Sequence, residues 1–169
     1  MKKVILFLVF VLLVTAATAC SSESKPQPKF SIKNITVNGV KIGDPVNEGF
    51  EKKGESDDGV LVKTDGGATF AAMFNAETVD TVTCDFTSDA APAVTVNGKS
   101  VSNVEDVHSA LGEPDQSSED FGGEASILHT LNYYNDDERI TLTFTYYENK
   151  SDGSKELKSM SIVAYPEGY

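Results

Sequence analysis

The chain has 169 residues, with 14 basic and 26 acidic side chains and a net charge of −12. That balance excludes a surface built for nucleic acid, whose phosphates need a basic face, and it excludes electrostatic docking on anionic lipid. The acids are spread along the chain, as on a solvated surface, and are not gathered into a tail.

In chain order, Lys2 and Lys3 precede an unbroken apolar run from Val4 to Val14, and a small, uncharged stretch follows from Thr15 to Ala19. This is the layout of a secretory signal. A spanning helix takes roughly 20 apolar residues, and this run has eleven. Ala17-Thr18-Ala19-Cys20 resembles a bacterial lipobox, which implies lipid on the Cys20 thiol and cleavage after Ala19. The alternative is a plain secreted protein, with Ala17-Thr18-Ala19 as an ordinary cleavage site. Ser21 to Lys29 is polar and rich in Ser and Pro, as a flexible tether is. The expected organisation is a signal peptide at 1–19, acylated Cys20 and tether at 20–29, and two units at 30–90 and 91–169. Removing 1–19 takes away Lys2 and Lys3 and leaves 12 basic against 26 acidic groups, a net −14. With Cys20 acylated, Cys84 is alone and no internal disulfide is available. Val82, Cys84 and Phe86 fall on one strand face, so Cys84 reads as a small buried hydrophobe, or else as a reactive thiol.

Thr-Val-Asn-Gly occurs at 36–39 and again at 95–98. Average residue usage gives on the order of 0.1 such repeats by chance. Asn-Gly between extended residues predicts a hairpin, because both turn positions take a positive φ. After the first copy, Asp44-Pro45 reads as a helix cap and first helical residue, with Gly54 at the end. After the second, Asn103 is the cap, Asp106 takes the capping-box position, and Val104, Val107, His108 and Leu111 keep helical spacing up to Gly112. Strands are expected at Val60–Lys63, Ala68–Phe74 and Val79–Phe86, with a turn at Asp65-Gly66-Gly67. In the second unit they are expected at Ile127–Tyr134, Arg139–Tyr147 and Leu157–Ala164, with an acidic loop at Pro114–Glu124. The clearest alternation is Ile140, Leu142, Phe144 and Tyr146 against Thr141, Thr143, Thr145 and Tyr147. The fold class is therefore read as α+β, with two tandem helix-plus-antiparallel-sheet repeats whose helices pack on one sheet face.

Val104-Glu105-Asp106-Val107-His108-Ser109-Ala110-Leu111-Gly112-Glu113-Pro114 resembles the helix end of β-lactamase-inhibitor-protein-like repeats. These are shared by that inhibitor, by the SmpA/OmlA lipoproteins of outer-membrane assembly and by many Gram-positive lipoproteins. The strand pattern from Ile127 through Tyr147 to Ile162 resembles the same unit, and the Phe30-Ser31-Ile32 opening with the VNG hairpin looks most like the Gram-positive lipoproteins. The resemblance covers residues 94–165 well and 32–88 loosely. It implies a sheet with helices on one side, used for protein contacts, and does not imply catalysis. No inhibitory residues carry over, for the chain has no Trp.

Catalytic chemistry finds little support. His108 and His129 are the only histidines. His129 shares a face with Ile127 and Leu131 and reads as a packed imidazole. A Cys84–His pair has no local support. Asp57-Asp58, Glu119-Asp120 and Asp136-Asp137-Glu138 lack the spacing of a calcium loop. No cofactor or metal is expected, and no enzymatic activity. The candidate binding surface is the polar sheet face of Thr130, Asn132, Tyr134, Thr141, Thr143, Thr145 and Tyr147. Its structural alternative is a set of good exposed strand residues. The expected function is a lipid-anchored, extracytoplasmic binding or scaffolding module on the cell membrane. Its partners would be the membrane, through lipid on Cys20, and another envelope or secreted protein. Alternatives are an inhibitor of a secreted hydrolase and a small-ligand binder.

Overall fold

A strand that alternates Ile, Leu, Phe and Tyr with Thr must bury one face, and residues 140–147 do so. Ile140, Leu142, Phe144 and Tyr146 are buried, and the residues between them are only partly covered. The computed structural model describes residues 29–53 and 60–168. The signal peptide, Cys20, the tether up to residue 28 and Gly54 lie outside the described residues.

Eight strands form one antiparallel sheet. They are β2 (Glu51–Lys53), β3 (Val60–Asp65), β4 (Ala68–Ala72), β5 (Thr81–Asp85), β8 (Gln116–Phe121), β9 (Ser126–Asn135), β10 (Ile140–Asn149) and β11 (Lys155–Ala164). Their order is β2-β3-β4-β5-β11-β10-β9-β8. The strands of both predicted units thus run into a single sheet, joined where β5 pairs with β11, Val82 opposite Ile162 and Cys84 opposite Met160.

A second, three-stranded sheet holds β1 (Ile35–Val37), β6 (Val94–Val96) and β7 (Lys99–Val101), in the order β1-β6-β7. It answers the question of the repeated tetrapeptide, because the two copies pair with each other. Thr36 lies opposite Thr95, flanked by Ile35–Val96 and Val37–Val94, and the two threonine hydroxyls are 2.5 Å apart. Each copy ends in a tight turn with positive φ at both central residues, 49° and 79° at Asn38-Gly39, 51° and 76° at Asn97-Gly98. The turns are matched in their outer bonds too. Asn38 N–H donates to Ala93 O and Asn97 N–H to Asn34 O, both at 2.9 Å.

The small sheet and one helix, α1 (Val104–Leu111), cover one face of the large sheet. Val37, Val96, Val104 and Val107 meet Phe70, Val82, Tyr133, Leu142, Phe144 and Ile162 in a single buried cluster. The helix forms as its caps predict. Asn103 accepts from Asp106 N–H, and the Asp106 carboxylate accepts from both Ser102 N–H and the Ser102 hydroxyl. Those two Ser102 bonds hold the Asp106 carboxyl below the usual carboxylate range.

The α+β class with two helix-plus-sheet repeats is corrected by this architecture. Strands take half of the described residues, and α1 is the one α-helix among them. The helix expected after Asp44-Pro45 does not form. Its stretch offers only Val46 and Phe50 as an apolar stripe, too little to anchor a helix. Gly43 and Gly49 take φ of +87° and +98°. The backbone pairs instead with residues 77–79, through Gly43 N–H to Val79 O, Val79 N–H to Asp44 O and Val46 N–H to Glu77 O. The Asp44 carboxylate accepts from Lys41 N–H rather than from a helical turn. The acidic loop Pro114–Glu124 is corrected as well, for its middle is β8, an edge strand with every side chain exposed. Backbone pairing to β9 holds it, helped by the Tyr134 hydroxyl on Gln116, and Glu119 and Asp120 on an edge discourage pairing with another chain.

Two local features yield predictions. A Cβ on Gly67, at φ +70°, would lie 2.6 Å from Ala90 O and 3.0 Å from Asp85 O. Gly67→Ala is expected to cost about 2 kcal/mol or more, read as a lower midpoint in urea denaturation. Cys84 is buried among apolar side chains, which pushes its thiol up to about 12. Alkylation by iodoacetamide at pH 8 is expected to be blocked in the native chain and to follow unfolding in urea.

Candidate binding face and aromatic rim

The uncovered face of the large sheet carries polar residues in rows across the strands. Register places Gln116, Asn132, Thr143, Ser161, Thr83, Thr69 and Thr64 side by side, one per strand. A neighbouring row holds Ser118, Thr130, Thr145, Ser159 and Asp85. Hydroxyls bridge strands within the rows, Thr143 Oγ1 donating to Asn132 Oδ1 at 2.8 Å and Thr145 Oγ1 lying 2.6 Å from Ser159 Oγ. Thr130, Asn132, Tyr134, Thr141, Thr143 and Thr145 are therefore brought together as their spacing predicts. The sequence reading missed the continuation through Ser159, Ser161, Thr83, Thr69 and Thr64, although the alternation in Thr81-Val82-Thr83-Cys84-Asp85 signals part of it.

Tyr147 does not join Tyr134. It lies six residues along β10 from Thr141, the neighbour of Tyr134, which is about 20 Å in an extended strand. Its ring sits under Lys158 Nζ at 5.2 Å.

At the other end of the sheet the exposed aromatics gather. Tyr134 is the last but one residue of β9, with its hydroxyl donating to Gln116 Oε1 at 2.9 Å. Tyr165 follows β11, with its N–H on Arg139 O at 3.0 Å and its ring 5.9 Å from that of Phe74. Among the described residues four large hydrophobic side chains are prominently exposed, Phe121 (79%), Met73 (53%), Tyr165 (42%) and Tyr134 (37%). All but Phe121 stand on this rim. Between the two tyrosines an open groove of about 410 Å³ is lined by Tyr134, Asn135, Asp136, Arg139, Ile140, Thr141 and Tyr165.

Arg139 is the one arginine of the chain. Alternation along 139–147 predicts it as the first residue of a strand. It sits instead in the turn between β9 and β10, in left-handed backbone at φ +53°. Left-handed backbone costs a residue with a Cβ roughly 1–2 kcal/mol. Its guanidinium donates to Pro166 O at 3.3 Å and forms no ion pair among the described residues. Arg139→Gly is expected to stabilise the fold by about 1 kcal/mol, seen as a rise of a few degrees in Tm.

Neighbouring groups are occupied by the fold. Glu138 accepts from Ser31 Oγ and Ile32 N–H, both at 2.8 Å, and from Asn135 Nδ2 at 3.0 Å, so it ties the start of the domain to the turn. His129 is packed as expected, stacked on Tyr146 with ring centres 4.5 Å apart. Glu119 and Glu148 lie on its two sides, at 3.7 and 3.2 Å from the ring nitrogens. Cys84 is three strands away from His129, about 14 Å, so the two form no dyad. Among the described residues no three His, Cys, Asp or Glu side chains converge as metal ligands would, and no helix is long and apolar enough to cross a membrane.

The fold and rim define a mostly β, two-layer protein that presents a hydroxyl-rich sheet face ending in an aromatic groove. Comparison with protein-family models, with curated protein sequences and with solved structures finds no match.

Proposed function

We propose that this chain is a non-enzymatic binding module of the bacterial envelope, held on the outer face of the membrane by lipid on Cys20, and that it grips a protein partner at the Tyr134–Tyr165 rim. One observation carries the contact site. Three of the four prominently exposed hydrophobic side chains among the described residues, with the one arginine, gather at one end of the open sheet face. Tyr, Met and Arg are enriched in interface cores, and rigid aromatics bury large area at low entropy cost. The hydroxyls of the Ser/Thr rows beside the rim offer uncharged hydrogen-bonding groups. Attachment rests on the Ala17-Thr18-Ala19-Cys20 sequence.

Two experiments test the parts separately. Cys20→Ala is expected to lose acyl labelling and to leave the signal uncleaved or the protein released; normal labelling would refute the anchor. Crosslinking in intact envelopes is expected to join the wild type to one protein reproducibly, and Tyr134→Ala/Tyr165→Ala to lose that adduct at unchanged abundance. Equal crosslinking of the double variant would remove the rim from the contact.

A further inference from the structure

We propose that the groove between Tyr134 and Tyr165 is a carboxylate site, built to take the free C-terminus of a partner protein. The inference deepens the protein-binding reading and rests on it for the identity of the ligand's carrier.

In a chain of net −12 the one guanidinium stands at a groove and, among the described residues, forms no ion pair. Its planar fork matches a carboxylate, with two parallel N–H···O bonds. The backbone beneath it is left-handed, a conformation glycine or asparagine would take with less strain. Arginine thus stands where the turn itself favours another residue, as happens when local strain serves a site.

The surroundings set the shape of the ligand. Tyr134 and Tyr165 flank β10 from the strands on either side, so two strand spacings of about 4.8 Å separate their backbones. Thr141 lies between them and offers a hydroxyl. The open groove of about 410 Å³ between them leaves room for an apolar or aromatic side chain. Tyr134 is tethered through its hydroxyl to Gln116 and Tyr165 leans on Phe74, so both rings are already positioned. Asp136 shares the lining, and Asp137 follows it in the same turn. One cation beside these acids accommodates a single carboxylate and repels an acidic stretch or a phosphate cluster. A chain terminus supplies that combination, one carboxylate with a side chain attached to the same carbon.

The test uses the full chain purified in detergent and two probes, acetyl-Gly-Gly-Phe with a free carboxylate and the same peptide as its C-terminal amide. Binding is followed by NMR shifts of Thr141 and Tyr165. The acid is expected to bind at least ten-fold more tightly than the amide. Arg139→Gln should erase that preference, Arg139→Lys should keep part of it, and Tyr165→Ala should weaken both probes alike. Acid and amide binding equally, neither binding, or a preference that survives Arg139→Gln would each overturn the site. Equal binding of a peptide that carries only an internal Asp would overturn the terminus as its ligand. A preference for the acid with no protein adduct in envelopes upholds the site and refutes the protein-binding reading. An adduct lost in the tyrosine double variant, with acid and amide equal, refutes only the carboxylate.

Discussion

Phe144→Ala is expected to lower the free energy of unfolding by about 3–5 kcal/mol, the range for removing a fully buried aromatic ring. Phe144 stands in the middle of β10, between Leu131 of β9 and Met160 of β11, and meets Tyr133 edge-on at 6.3 Å. It has no exposed surface, and it faces the layer formed by α1 and the small sheet. No neighbour can collapse into the space without pulling its own strand off the ladder. For a domain with a marginal total of 5–15 kcal/mol, the variant should be partly unfolded at 37 °C. Phe121→Ala is the control, since Phe121 is 79% exposed on the edge strand, and it should change stability by less than about 0.5 kcal/mol. Urea denaturation followed by circular dichroism checks both. Equal midpoints for the two variants would mean that the core does not lie between the two sheets.

What the sequence made legible was local. The Asn-Gly turns, the Asn103 cap and the strict alternation from Ile140 to Tyr147 each fix their geometry within a few residues, and each formed as read. The pairing of the two TVNG copies was hidden because nothing in either copy says which strand lies beside it. Asp44-Pro45 misled for a related reason. A cap followed by proline starts a helix only where an apolar stripe follows, and Val46 with Phe50 is not enough. The strand at Gln116–Phe121 could not be read at all, since an exposed edge needs no apolar alternation.

The candidate site divides the same way. Alternation brought the threonines of β9 and β10 to one face, and Tyr134 with them. Met73, Arg139 and Tyr165 lie far apart in the chain, and only the order β4-β5-β11-β10-β9 sets their strand ends along one rim. Arg139 was read as strand because alternation begins immediately after it. Its left-handed backbone is set by the turn, and the one sequence signal was that it is the only arginine.

Asp80→Ala is expected to be the most damaging polar substitution, costing about 3 kcal/mol and also abolishing partner contact at the rim. Asp80 is buried just before β5, and its carboxylate accepts from Met73 N–H at 2.9 Å, Phe74 N–H at 2.7 Å and the Thr81 hydroxyl at 3.0 Å. Hydrogen bonds to a charged acceptor are worth about 1.5–3 kcal/mol each, and cutting the acceptor leaves the donors to find new partners. The backbone of the same residue joins two strands, with its N–H on Ala71 O and its carbonyl accepting from Ala164 N–H. Asp80 thus shapes the turn that displays Met73 and Phe74, and the ring of Phe74 is the support on which Tyr165 leans. Asp80→Asn keeps one acceptor oxygen without the charge and should fall between wild type and alanine in stability. Denaturation midpoints measure the first effect and envelope crosslinking the second, with Thr81→Ser as a control that keeps the hydroxyl. If Asp80→Ala were destabilised but crosslinked as the wild type does, Met73 and Phe74 would not support the contact. If it were as stable as the wild type, the carboxylate would not be what holds the turn.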